Sequence, residues 1–304
     1  MIGKQIREKI AFTFNKTVRF IALRFSNLKI NTHQTEYHRR MASKQTRKVL
    51  MLHGYAQNAA IFAKRMGAVR KACGKDIDLV FVDAPHILTP VDITQAFSTK
   101  PEGEDVTAET ATETDPTLLP RGWWKIDGAR IKSGLEESIA HLRDILKQDH
   151  YDGIFGFSQG AAMAAVITAL LEKPHLDPSF LIDGKPPHPP LTFCISVAGF
   201  RPRSPLCDAV LLPSYSTPTL HVLGRTDVIV LAERSKALVE VATNSRVEYH
   251  DGGHFVPSKA NWRNFFRDYF RDPLGAVPSP GSAAVSEPPS GAATPTMPTT
   301  PGGW

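Results

Sequence analysis

A chain of 304 residues can bury a full core, and one domain of about 220 residues with extensions fits that length. Its 42% apolar and 22% charged residues are those of a globular protein, and no run nears the ~18 uninterrupted apolar residues of a membrane span. The net charge of +6 is unevenly placed: residues 1–48 hold twelve Lys or Arg against Glu8 and Glu36. The remainder is net acidic, which argues against a nucleic-acid groove in the folded part.

Residues 1–47 form a basic extension. Ile2, Ile6, Ile10, Phe14, Val18, Ile21 and Phe25 recur at helical spacing among Lys and Arg. Two readings stand. Residues 2–26 are an amphipathic helix, either a mitochondrial transit peptide or a peripheral membrane contact; or the start is mis-assigned and Met41 begins the protein. The continuous apolar core of a secretory signal is missing. Three cysteines, Cys73, Cys194 and Cys207, form no C-x-x-C pair and suit a reducing compartment. The expected location is cytoplasmic, with the nucleus also open, or mitochondrial if the extension is a leader.

The folded domain is expected over 48–273. Residues 48–53 read as a buried strand, and Ile61, Phe62, Met66 and Val69 mark one helix face. A second strand follows at 78–85. Residues 98–119 are acidic and polar, a surface insertion. Leu135, Ile139, Leu142 and Leu146 give the next helix, and 153–157 a short buried strand before an Ala-rich helix from Gly160 to Leu171. Strands at 191–199, 218–224 and 246–250 follow, with a helix near 231–243 between the last two. Trp262, Phe265, Phe266, Tyr269 and Phe270 line a closing helix, with Ser258 its expected N-cap. Residues 274–304, with seven prolines and one charge, read as a disordered tail. Continuous apolar strands alternating with amphipathic helices imply a mainly parallel sheet covered on both faces. Its ligands are expected beyond the carboxyl ends of the strands.

Between the strand at 153–157 and its helix stands Gly156-Phe157-Ser158-Gln159-Gly160. At average usage G-x-S-x-G occurs by chance in roughly one 300-residue chain in ten, so the strand–turn–helix context has to carry the reading. A turn this sharp forces strained backbone angles on its apex and small neighbours on either side, and it holds the serine Oγ up at the sheet edge. Serine needs a base, and the base an orienting acid. Asp227 follows one strand end and His254 another, giving the order Ser, Asp, His. Asp227 as a helix N-cap, Asp251 as a rival acid and His250 as a rival base are the competing assignments. Backbone N–H groups of Gln159 and Tyr55, the latter in the loop after the first strand, are the expected oxyanion donors. His53 reads as a structural hydrogen-bonding residue. Trp123 and Trp124 are expected either to form a substrate-binding wall or lid, or to pack in the core.

In order, "LMLHGYAQNAAIF", "FVDAPH", "GWW", "GIFGFSQGAAMAA", "SVAGFRP", "PTLHVLGRTDVIV" and "GGHFVP" resemble the FSH family of serine hydrolases over about residues 48–271. The resemblance implies an α/β-hydrolase fold without a large cap domain and a triad of Ser158, Asp227 and His254. It also implies carboxylic ester hydrolysis, with some members releasing polyketides as thioesterases. The expected enzyme uses no metal or cofactor and acts on small esters or thioesters of hydrophobic acyl groups. An acyltransferase on the same triad and a non-catalytic ligand-binding module remain alternatives.

Overall fold

The computed structural model describes residues 46–97, 118–127 and 130–281. The N-terminal extension up to residue 45, residues 98–117 of the acidic insertion and the tail beyond residue 281 lie outside the described residues. The first strand is β1 (Arg47–Leu52), followed by α1 (Ala59–Arg65), α2 (Gly67–Cys73) and β2 (Ile77–Val82). Next come β3 (His86–Ile87), α3 (Pro90–Phe97), β4 (Arg121–Gly122), β5 (Lys125–Asp127) and β6 (Arg130–Ser133). The elbow region is α4 (Leu135–Gln148), β7 (Gly153–Phe157) and α5 (Gln159–Glu172). The chain closes with β8 (Phe193–Val197), α6 (Pro205–Leu211), β9 (Thr219–Gly224), α7 (Ala232–Val239), β10 (Ser245–His250) and α8 (Ala260–Arg271).

Six strands form one sheet in the order β10-β9-β8-β7-β1-β2, and every pairing is parallel. The chain steps outward from β1 to β2, then returns to the other side of β1 and continues through β10. The switch point therefore lies between β1 and β7, where ligands of such sheets bind. His53 and Gly54 follow β1 there, and Ser158 follows β7.

Alternation along the strands explains the two layers of packing. Phe193, Ile195 and Val197 of β8 join Phe62, Val69 and the α8 aromatics on one face. Cys194 points the other way, into a core shared with α4, α5, α6 and α7. The α5 helix is buried from Gln159 to Leu171, and its many alanines let the sheet approach closely. On α8, Trp262, Phe265, Phe266, Tyr269 and Phe270 are all buried; each fully buried Phe contributes roughly 1.5–3 kcal/mol.

Several local expectations need correction. The stretch through Ile61 and Val69 is two helices, because Met66 (φ −80°, ψ 1°) ends the first and precedes the second. Lys259, not Ser258, occupies the N-cap of α8, and no side chain caps it; the Ser258 carbonyl instead accepts from Arg263 at 3.0 Å. The helix expected near 231–243 ends at Val239. The small antiparallel pairs β3–β4 and β5–β6 had no sequence expectation.

Candidate active site

Ser158 has φ 55° and ψ −116°, a positive φ that non-glycine residues rarely adopt. The glycines on either side permit it. A Cβ on Gly156 would lie 2.2 Å from the Gly160 carbonyl oxygen, and one on Gly160 would lie 2.4 Å from the carbonyl oxygens of both Leu52 and His53. Gly160 thus seats the first turn of α5 against the end of β1. The Ser158 N–H donates to the Val197 carbonyl at 2.9 Å, tying the apex to the end of β8.

A serine at a helix N-cap ordinarily turns its oxygen back to the first-turn N–H groups. Here it makes no such bond. Ser158 Oγ instead stands 2.9 Å from His254 Nε2, and His254 Nδ1 lies 2.8 Å from Asp227 Oδ2. A carboxylate only accepts, so Nδ1 carries the proton and Nε2 accepts from the serine hydroxyl. The other Asp227 oxygen, Oδ1, accepts from the N–H groups of Ile229 and Val230, each at 2.9 Å. Capping and orienting, rivals in the sequence, are done by different oxygens of one carboxylate. Burial opposes ionisation of Asp227, but the His254 hydrogen bond and charge and the two N–H groups outweigh it, and its carboxyl titrates below the usual range.

The rival residues are placed elsewhere. Asp251 has a 99% exposed side chain beside Arg225. His250 is buried, its ring 4.9 Å from Phe255 and 5.9 Å from Trp262, and its Nδ1 accepts from the Gly252 N–H at 3.2 Å. The three cysteines are all buried, and burial pushes the Cys194 thiol up to about 12.

The loop after β1 is held by a neutral histidine. His53 Nε2 accepts from the Ala84 N–H at 3.0 Å, so Nδ1 carries the proton toward the Gly54 carbonyl at 2.8 Å. Burial lowers its pKa to about 4, consistent with this tautomer. Tyr55 follows, its hydroxyl donating to the Asp92 carbonyl at 3.1 Å. Gln159 is the first residue of α5, where a helix leaves its N–H without an intrahelical acceptor.

Sequence reasoning missed the Gln159 side chain. It is buried, accepts from the Trp123 N–H at 2.8 Å and donates to the Trp124 carbonyl at 2.9 Å. The Trp123 indole N–H donates to the His53 carbonyl at 2.9 Å. With 0% and 2% exposure, Trp123 and Trp124 pack in the core and present no wall or lid to solvent. No periodic pattern signals such a clamp, which joins residues 35 and 36 positions apart.

A cavity of about 320 Å³ is lined by Phe62, Arg65, Phe157, Phe255, Val256 and Ser258, of which Phe157 and Phe255 are the chain neighbours of Ser158 and His254. The Phe157 ring lies 5.0 Å from the His254 ring.

A family model described as "Serine hydrolase (FSH1)" matches residues 41–266. The chain belongs to this family. It is a serine hydrolase, and its family match ends within α8. Among curated proteins, this FSH1-family chain is similar to "Esterase OVCA2" of Danio rerio, 33% identical over 236 residues, 74% of this chain and 96% of that one. It is also similar to "Dihydrofolate reductase" of Schizosaccharomyces pombe, 32% identical over 229 residues. That match covers 73% of this chain and 46% of the relative, so the chain spans about half of that protein's length. Among solved structures, Arabidopsis thaliana SOBER1 shares the fold at 15% identity and a TM-score of 0.51, over 75% of this chain and 99% of that one. The fold is that of the α/β-hydrolases.

Proposed function

We propose that the protein hydrolyses carboxylic esters or thioesters of hydrophobic acyl groups through an acyl-enzyme on Ser158. The observation that carries this reading is the unbroken series Ser158 Oγ, His254, Asp227, at 2.9 and 2.8 Å. As Ser158 Oγ attacks the carbonyl carbon, His254 Nε2 takes its proton, and Asp227 stabilises the resulting imidazolium. The N–H groups of Gln159 and Tyr55 bind the oxyanion, reinforced by the positive end of α5. When the tetrahedral species collapses, His254 returns the proton to the departing alkoxide or thiolate. Water, deprotonated by the same imidazole, then releases the acid and restores Ser158.

The similarity to a protein named as an esterase supports ester cleavage. Phe62, Phe157, Phe255 and Val256, which line the cavity together with Arg65 and Ser258, support an apolar acyl chain. Trp123 and Trp124 serve the site by position, holding the Gln159 end of α5, rather than by a face offered to substrate. The test is a series of 4-nitrophenyl esters of increasing chain length, with wild type and Ser158→Ala. Turnover that rises with chain length and is lost in the variant is expected. Equal turnover by both proteins would overturn the reading.

A further inference from the structure

A cationic corner around Phe200 lies on the other side of the sheet from the cavity that Phe62 and Phe157 line. Phe200 stands three residues beyond Val197, the residue whose carbonyl holds Ser158. The Arg234 guanidinium lies over the Phe200 ring, 4.2 Å from its centroid, and the Trp124 ring meets Phe200 edge-on at 6.3 Å. Since Trp124 is bonded to Gln159, contacts run continuously from the residue after the nucleophile to Arg234. A second tie runs beside it. Ser235 Oγ donates to the Gly199 carbonyl at 2.9 Å, and a Cβ on Gly199 would sit 3.0 Å from Ala161 in the first turn of α5.

Among the described residues, neither Arg234 nor the exposed Arg203 has a carboxylate partner, and Asp208 lies 3.8 Å from Arg201. Arg234 is half-buried. Burial, and then repulsion from Arg203, lower its pKa from the ordinary arginine value. A half-buried guanidinium stacked on a ring, with no carboxylate partner among the described residues, lacks its counter-charge. An anion placed there relieves the repulsion and gains charge-assisted hydrogen bonds in the planar geometry arginine offers.

We propose that Arg234, assisted by Arg203, recognises an anionic group, a carboxylate or a phosphate, carried by the ester or thioester substrate. This rests on the hydrolase reading above and adds a selectivity to it: one end of the substrate is apolar, the other charged. The charge sits on the α7 side of Ser158, and the apolar part enters the cavity that Phe62 and Phe157 line.

Matched substrates test it. The 4-nitrophenyl hemiester of glutaric acid is compared with its methyl ester, which lacks the carboxylate. Butyryl phosphopantetheine is compared with butyryl pantetheine, which lacks the phosphate. At low salt, kcat/KM is expected to favour at least one anionic member about tenfold. That ratio should fall towards unity in Arg234→Gln, less in Arg203→Gln, and recover in part in Arg234→Lys. The pair showing the preference distinguishes carboxylate from phosphate. The ratio is independent of the fraction of active protein, while turnover of the neutral members reports separately on the hydrolase reading. A readout without turnover is binding of the same anionic compounds to Ser158→Ala, expected to weaken about tenfold when Arg234→Gln is added. Equal kcat/KM for charged and neutral members in wild type, or a preference unchanged in Arg234→Gln, would overturn the assignment.

Discussion

Gly160 and His53 meet backbone to backbone: a Cβ on Gly160 would lie 2.4 Å from the His53 carbonyl oxygen, which also accepts the Trp123 indole N–H at 2.9 Å. The helix behind the nucleophile and the loop carrying Tyr55 are therefore fixed against each other without room for a methyl group. Gly160→Ala would push α5 away from β1. Overpacking of this kind costs about 1–3 kcal/mol. The expected result is a lower melting temperature together with a loss of ester turnover larger than the unfolded fraction explains. A variant with wild-type kcat would show that this contact does not set the oxyanion geometry.

Gln159 is expected to matter through its side chain as well as its N–H. Gln159→Ala leaves the Trp123 N–H and the Trp124 carbonyl buried without partners, at about 1–3 kcal/mol for each unsatisfied group. Denaturant unfolding should show the loss as a shifted midpoint at unchanged slope. A midpoint equal to wild type would mean that other groups satisfy this segment.

Replacing Asp227 by Asn separates its two tasks. The Oδ1 contacts to Ile229 and Val230 are of a kind an amide oxygen preserves, so the loop should keep its shape. The negative charge facing His254 Nδ1 is lost. A fall in kcat of about 10⁴-fold is expected, with a small change in melting temperature. Near-normal kcat would remove Asp227 from the proposed mechanism.

Buried histidines set an acid limit on stability, His53 and His221 among them. Burial lowers both His53 and His221 from 6.5 to about 4. Between those values the unfolded chain takes up protons at these residues that the folded protein does not. Stability therefore falls as pH drops from about 6.5 towards 4, by up to ~1.4 kcal/mol per pH unit for each histidine. Among the described residues His221 Nε2 has no hydrogen-bond partner, so His221→Leu should melt with a shallower pH dependence across this window. A slope matching wild type would show that His221 is protonated in the folded state.

Strand β7 was readable to the residue, because a strand buried on both faces is a continuous apolar run and needs no knowledge of its neighbours. The order of Ser158, Asp227 and His254 was readable because each follows a strand end. The break at Met66 was not. Apolar spacing reports which side of a helix is buried, and that side continues smoothly through Phe62, Met66 and Val69 into the next helix. Nor was the Gln159 clamp, since its partners are two tryptophans brought back from before α4. Asp227 was ambiguous for a different reason. Sequence assigns a residue one role, whereas a carboxylate has two oxygens that can serve separate elements.

The first measurement is intact-mass analysis of folded wild type and Ser158→Ala after treatment with a fluorophosphonate, which reacts preferentially with an activated serine. A single adduct on wild type, absent from Ser158→Ala, is the expected result. No adduct on folded wild type, or an adduct that persists in the variant, would contradict the assignment of Ser158 as the nucleophile.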